Sequence, residues 1–138
     1  MKKENRIRII YYSSISEPSS ERLLRIVEMN FTKSQIEICR TIDELLQRLE
    51  QPLPELFSVV LHMDSREELT RIVVLRDLVV DRRIILVLPD DEPATTSLGH
   101  TLRPRFITYR NSDYADVAVV LARMIKSIES SCQGNILL

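Results

Sequence analysis

The chain of 138 residues has no tryptophan, 2 glycines and 2 cysteines, and its 19 basic and 20 acidic side chains leave a net charge of −1. Glycine this scarce excludes collagen-like and low-complexity chains. With 44% apolar residues the chain is also not one that stays unfolded for want of a core. Cys39 and Cys132 form no C-x-x-C pair and have no nearby histidine to complete a zinc set. Two free thiols in a reducing compartment are expected, the alternative being one long-range disulfide. The near-zero charge lacks the basic excess of a domain that grips phosphates by bulk charge, so no direct nucleic-acid partner is expected. Long hydrophobic runs are missing too. The first apolar run, Ile7 to Tyr12, is broken by Arg8 and is too short for a signal-peptide core or a membrane span. A cytoplasmic protein without membrane contact is the expectation.

What is present is a regular alternation. Five β-rich apolar runs recur: Ile7–Tyr12, Gln35–Arg40, Phe57–Met63, Arg83–Leu88 and Phe106–Arg110. The third and fourth are nearly continuous, as in parallel strands covered on both faces. The second alternates Ile36 and Ile38 against Glu37 and Cys39, the pattern of a partly exposed edge strand. Helix signals fill every gap. Pro18 suits a first turn ahead of Leu23, Leu24, Val27 and Phe31. Thr41 with Glu44, and Ser65 with Glu68, are capping boxes. The first opens a helix with Leu45, Leu46 and Leu49, and the second one with Leu69, Ile72, Val73 and Arg76. Asp90 or Asp91 caps a short helix from Pro93 to Leu102, weakened by Gly99. Ser112 or Asp113 caps the last, whose face is Val117, Val120, Leu121, Met124 and Ile128. Five βα units with short right-handed connections predict an α/β fold, a doubly wound parallel five-stranded sheet of flavodoxin-like order 2-1-3-4-5. Residues 1–129 read as one domain, and residues 130–138 as a loose tail or the start of a linker.

Ligands of such sheets sit at the carboxyl ends of the strands. The first loop, Tyr12-Ser13-Ser14-Ile15-Ser16-Glu17-Pro18, has no glycine, so neither a dinucleotide fingerprint nor a P-loop exists. Helix-capping serines explain it better than a flavin phosphate site. After the third run stands Asp64, in Leu61-His62-Met63-Asp64-Ser65. An aspartate closing the central strand of a five-fold βα chain resembles the receiver domains of two-component response regulators. That resemblance spans about residues 6 to 129. It implies a phosphoacceptor aspartate, an acidic pair holding Mg²⁺, a Ser/Thr after the fourth strand and a lysine after the fifth. On these positions the chain carries Asp64 as acceptor, Tyr11, Tyr12, Ser13 and Ser14 in place of the acidic pair, Thr95 and Thr96 late after the fourth strand, and Arg110 in place of lysine. The phosphorylation site of this receiver-like chain is thus atypical and degenerate.

His62 and His100 have no metal spacing, and a strand histidine satisfied by its neighbours is expected of His62. A triad of Ser13, His62 and Asp64 lacks a nucleophile elbow and identified oxyanion donors, so no enzyme is expected. Arginine outnumbers lysine 15 to 4, and Arg82 and Arg83, with Arg103, Arg105 and Arg110, flank the last two strands. In the resembled family the surface of the penultimate helix, last strand and last helix carries dimerisation and output. Here it comprises Ala94 to Leu102, Tyr109 and the exposed face of Tyr114 to Ile128, and Arg103, Arg105, Arg110, Asp113, Asp116 and Arg123 give the mixture of signs suited to a two-fold homodimer. The leading expectation is an atypical receiver that signals by protein–protein contact, with a kinase or an output module as partner and no cofactor. The alternative is a phosphorylatable regulator using Asp64, with Mg²⁺ held there and by Glu17 or Asp90 and Asp91. A small-ligand or flavin domain of the same fold is the lesser one. No helix-turn-helix follows the last helix, so direct DNA binding is not expected.

Overall fold

The computed structural model describes the backbone of residues 8–51, 56–80 and 82–137 and the side chains within 8–51, 58–80 and 82–127. The apolar runs form β1 (Arg8–Ser13), β2 (Ile36–Cys39), β3 (Leu56–His62), β4 (Ile84–Leu88) and β5 (Phe106–Tyr109). Between them lie α1 (Pro18–Asn30), α2 (Ile42–Glu50), α3 (Arg66–Val74), the one-turn α4 (Arg76–Val79) and α5 (Pro93–His100), and α6 (Ala115–Leu137) follows β5. A 3₁₀ turn, Lys33–Gln35, leads into β2. All neighbouring strands pair in parallel, in the order β2-β1-β3-β4-β5. This is the flavodoxin-like doubly wound sheet that the five-fold pattern predicts.

Strand side chains alternate between two helical layers, which is why central strands must be apolar throughout. In β4, Ile84, Leu86 and Leu88 face Leu45, Leu69 and Ile72 of α2 and α3. Ile85 and Val87 face Leu23 and Val27 of α1 and Val117 and Leu121 of α6. Each such side chain contributes roughly 1.5–3 kcal/mol by leaving water. The edge strand departs from its expected alternation: Ile38 is 45% exposed while Cys39 is 5% exposed. β2 is an edge strand, and its Ile38 meets water on one face of the sheet, whereas Cys39 on the other joins the core cluster that contains Leu45 and Leu49. Burial pushes the free Cys39 thiol up to about 11, which keeps it protonated near neutral pH. The Cys132 side chain lies outside the described residues.

Helix starts follow the capping logic with a shift. The Thr41 and Ser65 hydroxyls accept from Glu44 N–H and Glu68 N–H at 3.0 and 3.1 Å. The carboxylates, however, accept from the residue before each cap, Arg40 N–H and Asp64 N–H, both at 2.7 Å. At α5 the N-cap is Glu92 rather than Asp90 or Asp91, and Asp90 instead accepts from Glu92 N–H at 3.0 Å. Ahead of α6, Ser112 and Asp113 accept from Tyr114 and Ala115 N–H, and Tyr114 takes a φ of 64°. The helix begun at Arg66 breaks at Leu75, so Arg76 opens α4 instead. The backbone from Ser130 to Leu137 continues α6.

Gly99 does not merely weaken α5; it lets the helix lie close on β4. A Cβ there would stand 3.0 Å from Leu86 Cδ2 and 3.1 Å from Leu88 Cδ2. Gly99→Leu is expected to cost at least about 1 kcal/mol by overpacking this contact. A urea midpoint equal to wild type would refute that.

Candidate functional site

At the carboxyl end of β1, Tyr11 and Tyr12 are buried on opposite faces of the sheet. Tyr11 donates from its hydroxyl to Ser20 C=O at 2.7 Å, and Tyr12 donates to Glu68 Oε2 at 2.6 Å. Burial pushes the Tyr11 phenol up to about 12. Burial, then the Glu68 carboxylate, raises Tyr12 as well. Two neutral, anchored phenols therefore occupy the segment where a receiver would carry carboxylates. Glu68 supplies a carboxylate from α3 instead, and both its oxygens are engaged, by Tyr12 and by Asp64 N–H.

Arg110, the first residue past β5, organises the remaining acids. Its Nη2 donates to both Glu17 oxygens at 2.6 and 2.5 Å. Its Nη1 donates to the Asp64 main-chain oxygen at 3.1 Å and to Asp64 Oδ1 at 3.4 Å. The fork of a guanidinium can grip a carboxylate and still reach a second acceptor, which an ammonium cannot do in the same plane. Three loops, after β1, β3 and β5, are thereby joined by one side chain. The sequence-predicted Glu17, Asp64 and Arg110 are brought together. Thr95 and Thr96 are not part of the cluster: Thr95 is buried in α5 and accepts from Arg66 Nε at 2.8 Å, and neither threonine bonds to Asp64 or Arg110. Arg66 also pairs with Glu92, tying α3 to the start of α5.

Beneath this ion cluster lies a second, buried network. His62, at the end of β3, is fully buried. Its Nδ1 stands 3.4 Å from Ser13 Oγ and its Nε2 3.2 Å from Ser19 Oγ. Ser13 donates to Ile15 C=O, and Ser19 donates to Arg110 C=O and meets Tyr114 Oη at 2.5 Å. Desolvation lowers the His62 pKa; Glu17 opposes this shift and Arg110 adds to it. The nearest carboxylate is Glu17, 3.9 Å from Nε2, and not Asp64. The paper triad of Ser13, His62 and Asp64 therefore does not assemble, and its histidine is sealed from solvent. The satisfied strand histidine is what the fold contains.

Receiver-type chemistry implies Mg²⁺, and the residues present do not fit it. The carboxylates of Glu17 and Asp64 are taken up by Arg110. Asp90 is turned onto its own loop, where the Thr95 hydroxyl and the Glu92 N–H hold its carboxyl below the usual range. Among the described residues no three His, Cys, Asp or Glu side chains group as a metal site. A hard cation wanting several oxygens has no set of them here. Beside the cluster opens a cleft of about 660 Å³, floored by Tyr12 and Ser14 and walled by Arg40–Asp43 and by residues between Asp64 and Arg71. The serines between β1 and the start of α1 serve the protein itself: Ser13, Ser19 and Ser20 donate to main-chain oxygens and Ser16 donates to Glu21.

The residues expected at a mixed-sign interface are spread along the strand axis. Arg103 and Arg105 precede β5, whereas Asp113 and Asp116 follow it at the opposite end of the sheet. Tyr109 is half-buried against the core, and Arg123 lies exposed further along α6. Sequence reasoning missed Glu68, Ser19 and Tyr114 as members of the site. Glu68 carried a capping signal only, and nothing local marks Tyr114 as the partner of a serine 95 positions away. The fold and site define the chain as a flavodoxin-like α/β domain with an arginine-centred cluster at its strand ends. No family model, no curated protein and no solved structure matches the chain. Among the described residues no helix is long and apolar enough to cross a membrane.

Proposed function

We propose that this is an atypical receiver-like signalling domain that acts through protein–protein contact rather than phosphotransfer. One observation carries the reading: the Arg110 guanidinium sits on both Glu17 and Asp64. Metal and phosphoryl group would together bring positive and negative charge to those carboxylates from outside. Here the cation is built into the chain, so the β1, β3 and β5 loops are held together with no external ligand. The adjoining phenols of Tyr11 and Tyr12 offer no ionised oxygens to a metal at accessible pH. A kinase or an output module is the class of partner that the resemblance suggests.

The runner-up is phosphorylation at Asp64, favoured by its side-chain exposure of 42% beside a cation. Amide NMR separates the two. Wild type and Asp64→Asn are titrated with Mg²⁺ and then with Mg²⁺ plus beryllofluoride, an imitation of the aspartyl phosphate. The expected result is no saturable shift at Asp64, Ser65 or Arg110. Shifts there that vanish in Asp64→Asn would replace this reading with a working phospho-switch.

A further inference from the structure

Charge is segregated along the strand axis. Because all five strands run the same way, their starts share one edge of the sheet and their ends the other. The segments leading into the strands carry Lys33 of the 3₁₀ turn before β2, Arg76 of α4 and Arg82 before β4, and Arg103 and Arg105 before β5. The loops and first helical turns leaving the strands carry Asp43 after β2, Glu67 after β3, Asp90 and Asp91 after β4, and Asp113 after β5. Of these ten, Arg82 and Asp90 are half-buried and the other eight are exposed; exposed charges of the opposite sign are fewer, Glu28, Glu50 and Asp77 on the side of the strand starts and Arg40 on the side of the strand ends, where Arg66 and Arg110 are paired with acids. Among the described residues neither set enters an ion pair; the pairs present use Glu17, Glu37, Asp64 and Glu92.

Helix dipoles favour acids where helices begin, and the resulting field exists whatever favoured it. Capping accounts for Glu44 and Glu68, whose oxygens turn back onto backbone N–H groups. It leaves Asp43, Glu67 and Asp91 facing solvent, and it says nothing about the arginines at the other edge. At ~3.3 Å per residue the two edges stand roughly 20 Å apart. That exceeds the Debye length of ~8 Å at physiological salt, so the edges do not neutralise one another through solvent. Each is an open charged surface, and the near-zero net charge gives copies little overall repulsion.

We propose that these edges are complementary surfaces for a second copy of this chain: the acidic edge of one copy docks on the basic edge of the next. Such a contact is heterologous, so it leaves a free acidic edge and a free basic edge at the two ends and continues as a series or closes as a ring. It differs from a two-fold pairing of the β5–α6 faces, which stops at two. The partner choice follows from charge complementarity between two surfaces of one chain, and it holds whether or not Asp64 accepts a phosphoryl group.

Sedimentation velocity of the whole chain at tens of micromolar tests this. At about 10 mM salt, where the Debye length is ~30 Å, the mean mass is expected to exceed that of the monomer and to rise with concentration. At about 1 M salt, where that length is ~3 Å, it returns to the monomer. Two variants each remove two of the five charges of one edge, all at exposed positions: Arg103→Gln with Arg105→Gln, and Asp43→Asn with Glu67→Gln. Each variant alone is expected to stay monomeric, and an equimolar mixture to stop at dimers, because only one matching pair of native edges remains. A monomer in low salt, association indifferent to salt, oligomers of either variant alone, or a mixture that stays monomeric would each overturn the proposal.

Discussion

Arg110→Ala is expected to lower the unfolding free energy by about 2 kcal/mol, a charge-assisted hydrogen bond being worth about 1.5–3 kcal/mol and partial exposure weakening it. The truncation removes four donor contacts at once: two to Glu17, one to Asp64 Oδ1 and one to the Asp64 main-chain oxygen. It leaves two carboxylates near one another with no cation between them, and it frees the loop after β5 from those after β1 and β3. Arg110→Lys restores the charge but not the fork, so it should recover less than half of the loss. Urea unfolding with an unchanged m-value is the measurement, because a shift of midpoint alone then reports stability. A loss below about 0.5 kcal/mol would place the cluster with ordinary surface ion pairs and remove its claim to organise the site.

His62→Ala is expected to be costlier, about 3 kcal/mol, in line with truncation of other fully buried side chains. Its second signature is in the pH dependence. Burial lowers the His62 pKa in the folded state, while the unfolded chain keeps a value near 6.5. Between those two values the unfolded chain binds the proton and the folded chain does not, so stability falls as the pH drops. The contribution is complete above about 6.5 and is lost downward to the depressed folded value, with a slope of at most ~1.4 kcal/mol per pH unit for one group. The charged groups that tune this titration are Glu17 and Glu68, which favour the proton, and Arg110, which opposes it. Comparing wild type with His62→Ala between pH 7 and 5 isolates the effect. If the variant loses stability on acidification as steeply as wild type does, His62 is not the group responsible.

The two networks meet at α1 and at the loop after β5. Ser19 holds His62 on one side and the Arg110 main chain and Tyr114 on the other, while Glu17, two residues earlier, holds the Arg110 side chain. One short helix start thus reads both the end of β3 and the beginning of α6.

Much of the architecture was written locally. Continuous apolar runs such as Ile84–Leu88 can be satisfied only between two helical layers, and Thr41 and Ser65 mark helix starts within a few residues of chain. Those are short-range requirements of burial and of unpaired backbone N–H groups, so a doubly wound parallel sheet followed from five such units and their short connections, while the order 2-1-3-4-5 among the possible doubly wound orders is fixed by the tertiary packing. The residue types Glu17, Asp64 and Arg110 were legible too, because strand ends are where a parallel sheet gathers its loops. Their mutual contacts were not, since Arg110 and Glu17 lie 93 positions apart and only closure of the sheet brings them within hydrogen-bonding distance. Tertiary structure alone decided that Tyr12 faces Glu68 and that Ser19 bridges His62 and Tyr114. It also decided that the arginines and aspartates flanking β5 stand at opposite edges. A strand separates in space what is neighbouring in sequence, and a sheet joins what is distant. Chemistry at strand ends is therefore chosen by the sequence but assembled only by the fold.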